Sequence, residues 1–307
     1  MNVIEVSKLT KDYGHGRGVV DVDLSVKKGE TVGFLGPNGA GKSTTMRHLM
    51  GFSKPESGEV RIMGLDCCRD HDKVLEMVGY LPGEVALPDG LTGRQFIQMM
   101  RGMRNDPEND RTEELLETFK LDPDVGVKRM SIGEKRKLAV VAAFMSDPEV
   151  LLLDEPTSGL DPVMQEVFID FVREEKRKGK TILLSSHIFS EVEALCDRIA
   201  IIKDGRLIKV VDASEVKHGL KNIFTIEFET DEDYVRFMET GIKPERGERR
   251  SRRCRVEVPD EKTNSFLAAL SKVRVKKIDE HSISLEEYFM HFYVNSRKFG
   301  VGGVTHA

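Results

Sequence analysis

The chain has 307 residues, of which 39% are hydrophobic and 32% charged, proportions that fit a soluble globular protein of one or two domains with ample core and exclude a disordered or fibrous one. A formal charge of −5 argues against nucleic acid as the main partner, and no apolar run reaches the roughly 18 residues that a membrane-spanning helix needs. Cys67, Cys68, Cys196 and Cys254 have neither metal-type nor disulfide-framework spacing, and the N-terminus has no basic segment followed by an apolar one, so a reducing, cytosolic compartment is expected.

In chain order, residues 3–6 and 19–26 alternate with the period of half-buried strands, joined through Lys11, Asp12, Tyr13 and a glycine-rich turn at 14–18. Thr31 to Leu35 reads as a short buried strand. It runs into Gly36-Pro37-Asn38-Gly39-Ala40-Gly41-Lys42-Ser43-Thr44, which fills every position of the phosphate-loop pattern. A helix follows, with Met46, Leu49 and Met50 on one face and Gly51 as its stop. Strand, loop and helix together give the pattern its meaning, because a helix N-terminus leaves backbone N–H groups unpaired and partly positive, ready for phosphate oxygens. In this arrangement Lys42 neutralises the β and γ phosphates of a nucleoside triphosphate. The Ser43 hydroxyl is placed for Mg²⁺, and Thr44 for the α phosphate.

Glu59 to Ile62 predicts a strand between turns at 55–58 and 64–66, implying a second layer of strands. After Val78-Gly79-Tyr80-Leu81-Pro82-Gly83-Glu84 the pattern turns helical: Gln95–Met103, Thr112–Lys120 and Lys135–Met145 form a helical subdomain, about 84–147, inserted into the α/β core. Val150 to Leu153 is a continuous apolar strand, as expected where helices cover both faces of a parallel sheet, and it delivers Asp154 and Glu155 at its carboxyl end. A helix at 163–178 and a buried strand at 181–184 follow, the latter delivering Ser185, Ser186 and His187 where open α/β sheets place ligands. A hairpin spans 199–208. Asp154 suits a Mg²⁺ carboxylate of the Walker B type, and Glu155 beside it can polarise water. Ser131 and Glu134 predict a capping box and, with it, a second anion-seeking helix start.

Past residue 215, strands at 224–228, 254–258 and 273–278 and helices at 231–240 and 262–272 predict a small α+β domain over 216–296. Ser284-Leu285-Glu286-Glu287 is a further capping box, opening an aromatic helix to Tyr293, and the aperiodic tail 297–307 is expected to be flexible. The basic run Lys243 to Arg255 reads as a solvated hairpin face, with contact to anionic lipid headgroups as the alternative.

With these motifs in this order, residues 1–215 resemble the ATP-binding cassette (ABC) family. The family signature Leu-Ser-Gly-Gly-Gln is matched at Ser131 and Gly133 and departed from at Met130, Ile132 and Glu134; phosphate loop, Asp154-Glu155, Ser158-Gly159-Leu160-Asp161 and His187 follow the family order. The resemblance implies a fold: an α/β phosphate-loop core with an antiparallel β-subdomain and the inserted helices, followed here by the small C-terminal α+β domain. It implies ATP and Mg²⁺ as cofactors, Tyr13 stacking on adenine, Gly36 to Thr44 holding phosphates, Lys42, Glu155 and His187 as catalytic residues, and Ser43 with Asp154 as metal ligands. Ser131 and Gly133 would act in trans on ATP of a second cassette, in a homodimer or heterodimer, with Asp161 communicating across it. Gly83 stands where the family usually has a glutamine linking metal to the helical subdomain; Glu84, a water, or packing of Leu81 and Pro82 is expected to substitute. The segment Ser284 to Met290 resembles the end region of cassettes serving ABC-2 type exporters. The implied protein is an exporter ATPase on the cytoplasmic face of the membrane, working with a separate transmembrane permease and without nucleic acid. The alternatives are a soluble cassette ATPase acting on ribosomes or DNA, whose members resemble tandem cassettes or carry a long coiled coil, and a small-molecule kinase, which would have no use for the signature-like segment or Asp161.

Overall fold

In the computed structural model, which describes residues 1–103, 110–214, 222–242, 244–259, 262–281, 286 and 289, the N-terminal strand is longer than its alternation suggests. Strand β1 (Asn2–Asp12) pairs antiparallel with β2 (Gly18–Lys27) as far as Lys11 opposite Val19 and Asp12 opposite Gly18. Lys11 and Asp12 are therefore strand rather than connection. Lys11 is half-buried and Asp12 exposed, so no apolar residue marks this end of the strand, and backbone pairing extends the ladder. Strands β4 (Ser57–Ile62) and β5 (Leu65–Asp66) complete a four-stranded sheet in the order β2-β1-β4-β5; Leu65 and Asp66, expected in a turn, pair with Ile62 and Arg61.

The second sheet has six strands, β10-β9-β3-β8-β7-β6. Strands β3 (Thr31–Leu35), β6 (Val78–Leu81), β7 (Val150–Asp154), β8 (Thr181–Ser186) and β9 (Arg198–Lys203) run parallel, and β10 (Arg206–Asp212) closes the edge as the antiparallel arm of a hairpin. Every residue of β3, β7 and β8 is buried, which accounts for their unbroken apolar runs. Helix α1 (Lys42–Leu49) buries Met46 and Leu49 completely, each contributing about 1.5–3 kcal/mol, into a core shared by both sheets.

Helix α2 (His71–Met77) precedes β6, and α3 (Gly93–Gly102), α4 (Thr112–Thr118) and α5 (Ile132–Phe144) occupy the chain between β6 and β7. Helix α6 (Pro162–Arg177) follows β7, and its Phe171 meets Phe119 and Phe144 edge-on, with ring centroids 5.3 and 5.0 Å apart. Helix α7 (Phe189–Leu195), which no pattern in the sequence predicts, is a short return from β8 to β9. No helix among the described residues is long and apolar enough to cross a membrane.

The chain divides into two units, Met1–Ala213 and Ser214–Ala307. In the second, β11 (Asn222–Phe228), α8 (Asp231–Met238), β12 (Arg246–Glu248), β13 (Arg253–Val258), α9 (Thr263–Leu270) and β14 (Val275–His281) form an antiparallel sheet in the order β12-β13-β11-β14, the split β-α-β arrangement used twice. Its core is Ile226, Phe228, Phe237, Val256 and Phe266. The strand expected at 273–278 begins at Val275 and reaches His281, because pairing with β11 sets its limits. The basic run forms the β12–β13 hairpin, where Arg253 pairs with Glu227 at 2.6 Å, Arg255 with Glu245 at 3.2 Å and Arg249 with Asp231 at 3.8 Å. Lys243, the capping box at Ser284 except for Glu286, and the tail lie outside the described residues.

Candidate active site

The phosphate loop lies between β3 and α1 in a space that only glycine fits at two points. A Cβ on Gly36 would come 2.5 Å from the carbonyl oxygen of Ile202 in β9, and one on Gly41 would come 2.6 Å from Val19 Cγ1 in β2. Gly41, at φ 109°, is also the N-cap of α1, so the turn into the helix has a left-handed backbone. No side chain caps this helix and no acid lies in its first turn, which leaves its N–H groups for an anion. Lys42 is buried, and its Nζ donates to Gly36 O at 2.6 Å and Pro37 O at 3.3 Å, curling the loop around the ammonium group.

Above the loop is a cavity of about 840 Å³. Asn38, Gly39, Gly41, Lys42, Ser43 and Thr44 line its floor together with Pro37, and Tyr13, Asp154, Glu155 and His187 line its walls. Strand ends bring the acids there: β7 and β8 are neighbours in the sheet, so Glu155 and His187 leave adjacent carboxyl ends. One oxygen of Glu155 lies 3.0 Å from Lys42 Nζ, and the other takes a short hydrogen bond from His187 Nδ1. Asp154, 2% exposed, accepts from the Ser185 hydroxyl and has no basic side chain within ion-pair distance among the described residues. A buried carboxylate without a cation, lining the same cavity as Ser43, is with that hydroxyl a hard-oxygen donor set that fits Mg²⁺. Tyr13 is 49% exposed, its hydroxyl lies 3.2 Å from Ser53 Oγ, and Lys11 Nζ lies 5.6 Å from its ring centroid.

Other expected site residues lie elsewhere. Gly36 and Ala40 are buried within the loop and do not line the cavity. Ser131 and Gly133 are also outside it. Ser131 caps α5, its hydroxyl accepting from Glu134 N at 3.2 Å while the Glu134 carboxylate accepts from Ser131 N at 2.8 Å, and a Cβ on Gly133 would meet Gly159 O at 3.2 Å. The next side chain, Ile132, is 79% exposed. Asp161 caps α6, accepting from Val163 N and Met164 N, both at 3.1 Å. Glu84 lines the cavity, and a Cβ on Gly83 would lie 3.2 Å from Asp154 Oδ2, so the chain passes Asp154 closely at this point.

Sequence reasoning missed three features. Phe52 and Tyr80, in edge-on contact at 5.9 Å, line the cavity, and burial with the Asp154 charge pushes the Tyr80 hydroxyl up to about 12. Glu191 of α7, 3% exposed, bonds the hydroxyls of Thr157 and Ser186, the latter at 2.8 Å, and so ties the residues after Glu155 to those before His187; burial raises its pKa. Arg136 of α5 is 2% exposed and reaches the backbone around Glu155. Its position on one helical face with Val140 and Ala143, both buried, was the available signal, obscured by the flanking Lys135 and Lys137.

The fold and the site together define a phosphate-loop ATPase of cassette type: a parallel sheet whose carboxyl ends carry a nucleotide-sized cavity, an antiparallel sheet beside it, and helices inserted between β6 and β7. The sequence profile of the ABC transporter family matches residues 19–158. The bacitracin transport ATP-binding protein BcrA of Bacillus licheniformis is 34% identical over 218 residues, covering 70% of this chain and 71% of that protein. The daunorubicin/doxorubicin resistance ATP-binding protein DrrA of Streptomyces peucetius is 37% identical over 222 residues, covering 71% and 67%. A solved structure of the ATP-binding subunit of an ABC transporter superposes with a TM-score of 0.66 at 30% identity, over 71% of this chain and 92% of that one. The chain belongs to the ABC transporter family, as an ATP-binding, ATP-hydrolysing subunit.

Proposed function

We propose that this subunit powers export through a separate membrane-spanning permease, hydrolysing ATP at two composite sites of a head-to-tail dimer on the cytoplasmic face of the membrane. The observation that carries the dimer is the division of the site. Lys42, Asp154, Glu155 and His187 converge on one cavity, while the signature-like segment caps α5 away from it with Ile132 exposed. A second copy would bring that segment, with the N–H groups at the start of α5, over the phosphates. Export is supported by the likeness to BcrA and DrrA, whose names concern bacitracin transport and resistance to daunorubicin and doxorubicin.

Within each site, Lys42 and the α1 N-terminus hold the β and γ phosphates, and Tyr13 stacks on the adenine ring. Mg²⁺ held by Ser43 and Asp154 would neutralise charge on the β and γ phosphate oxygens. Lys42 and His187 each engage one oxygen of Glu155, and a γ phosphate offers both a stronger partner. Turning to it, they release the Glu155 carboxylate to orient the attacking water as a base. Catalysis is then mostly positioning and charge stabilisation. Glu84, on the cavity wall beside Gly83, stands in for the side chain that glycine lacks.

Glu155→Gln keeps the carbonyl oxygen that can accept from Lys42 and removes the base. Hydrolysis should fall by about 10²–10⁴, and the protein should accumulate as a dimer with ATP and Mg²⁺. Light scattering coupled to size exclusion is the measurement, and a folded variant that remains monomeric in saturating Mg-ATP would overturn the composite-site reading.

A further inference from the structure

The buried Arg136 is a guanidinium with no carboxylate within ion-pair distance among the described residues, in a place where an unsolvated charge would be costly. Its five N–H donors account for its stability there. Nε donates to Pro156 O at 2.8 Å; one terminal nitrogen donates to Asp154 O at 2.9 Å and to Glu155 O; the other donates to Gly83 O at 3.3 Å and to Pro82 O. Five donors meet five backbone carbonyls, so the planar fork is fully used. Burial pulls the guanidinium pKa down to about 10, opposed by the charges of Asp154, Glu155 and Glu191, so the group stays charged at neutral pH.

The carbonyls it holds belong to two segments with different tasks. Asp154, Glu155 and Pro156 are the end of β7 and the start of the following loop, where Glu155 has φ 47°, a left-handed backbone for a residue with a side chain. Such a backbone is strained and persists only where its surroundings over-determine it. Pro82 and Gly83 are the exit from β6, where the chain leaves for α3, α4 and α5. Arg136 itself stands in the first turns of α5, five residues after the capping Ser131. One side chain thus joins the signature helix, the exit from β6 and the backbone of the proposed catalytic base.

We propose that Arg136 is a positioning residue for ATP hydrolysis: it holds the Glu155 backbone in its left-handed conformation and registers it against the Pro82–Gly83 exit, where glycine supplies no side chain to do so. The inference rests on Glu155 being the base. Arg136 does not line the nucleotide cavity, so it acts on the rate through Glu155 and not on nucleotide affinity. A small misplacement of a catalytic group costs on the order of 10²-fold in rate, which sets the expected effect.

The test uses the full chain and five proteins: wild type, Arg136→Lys, Arg136→Met, Glu155→Gln and the double variant of Arg136→Lys with Glu155→Gln. Lysine keeps the charge and volume needed for folding, but one ammonium cannot span both segments. We expect Arg136→Lys to lower kcat by about 10- to 100-fold while Mg-ATP affinity, read by isothermal titration, changes less than about twofold. The double variant should hydrolyse no more slowly than Glu155→Gln, because both substitutions act through one group. Arg136→Met, with thermal melting recorded, serves as the uncharged control and should lower kcat at least as far as Arg136→Lys. Wild-type kcat in Arg136→Lys, or a loss of affinity parallel to the loss of rate, would overturn the proposal and leave Arg136 as a packing residue. Full hydrolysis in Glu155→Gln would instead overturn the assignment of the base, and this inference with it.

Discussion

At the residue scale the site is a set of charges that hold one another. Lys42 faces Glu155 and two loop carbonyls in a buried position, and a charge-assisted contact of this type contributes about 1.5–3 kcal/mol. Lys42→Ala should therefore weaken Mg-ATP binding by roughly 10- to 150-fold and remove most turnover, read by titration and by phosphate release. Unchanged turnover would reject the assignment of this cavity as the site of hydrolysis. Glu191 gives a prediction of another kind. Burial raises its folded pKa above the ordinary value for glutamate, so its contribution to stability is fully present below that ordinary value and is lost as pH rises through the raised one. Glu191→Gln removes the titration and keeps a partner for Thr157 and Ser186. The melting temperature of the variant relative to wild type should rise as pH is raised above the ordinary glutamate value, and a difference flat in pH would show that Glu191 is not the group responsible.

At the element scale, two helix starts have side chains with a structural task as well as the dimer role proposed for them. Asp161 receives two N–H groups of α6, and Pro162 follows at the first helical position, where its missing N–H costs nothing. Asp161→Ala should cost about 1 kcal/mol in a denaturant melt, whereas Asp161→Asn, which keeps the acceptor oxygen, should cost a few tenths at most. If both variants lower the ATPase rate equally while only the first lowers stability, the carboxylate charge has a task beyond the cap. Equal stability of all three proteins would remove the cap as a source of stability. Elements with alternating or unbroken apolar patterns were legible in the sequence: β3, β7, β8, α1 and the phosphate loop stand where periodicity and glycine place them. The extension of β1 to Asp12, the pairing of Leu65 and Asp66, and α7 were not. In the two strand segments, one ending in Lys11 and Asp12 and the other only Leu65 and Asp66, there is no run of alternating apolar residues to read and the backbone ladder sets the pairing, while α7 is too short to show a helical period.

At the scale of the whole molecule, each unit has a hydrophobic core of its own. The first is closed by residues from Val3 to Ile202 and the second by residues between Ile226 and Ala269. A fragment ending at Ala213 should fold cooperatively and bind Mg-ATP within about threefold of the full chain, since every cavity-lining residue precedes that point. An aggregated or non-cooperative fragment would show that the second unit is required for the first to fold.

The sequence by itself determined the class of chemistry. A phosphate loop, two acids ending an apolar strand and a histidine ending the next are local patterns, and their local context of strand, loop and helix aims them without reference to the rest of the chain. Tertiary structure decided how the base is held. Arg136 lies 19 residues from Glu155 and 54 from Pro82 and bonds to backbone carbonyls, which have no side-chain identity that a sequence pattern could display. The Glu155–His187 contact spans 32 residues and is set by the adjacency of β7 and β8. Contacts made by backbone atoms and by neighbouring strands are properties of the folded arrangement, and only the packing of α5 against the ends of β6 and β7 brings them into being.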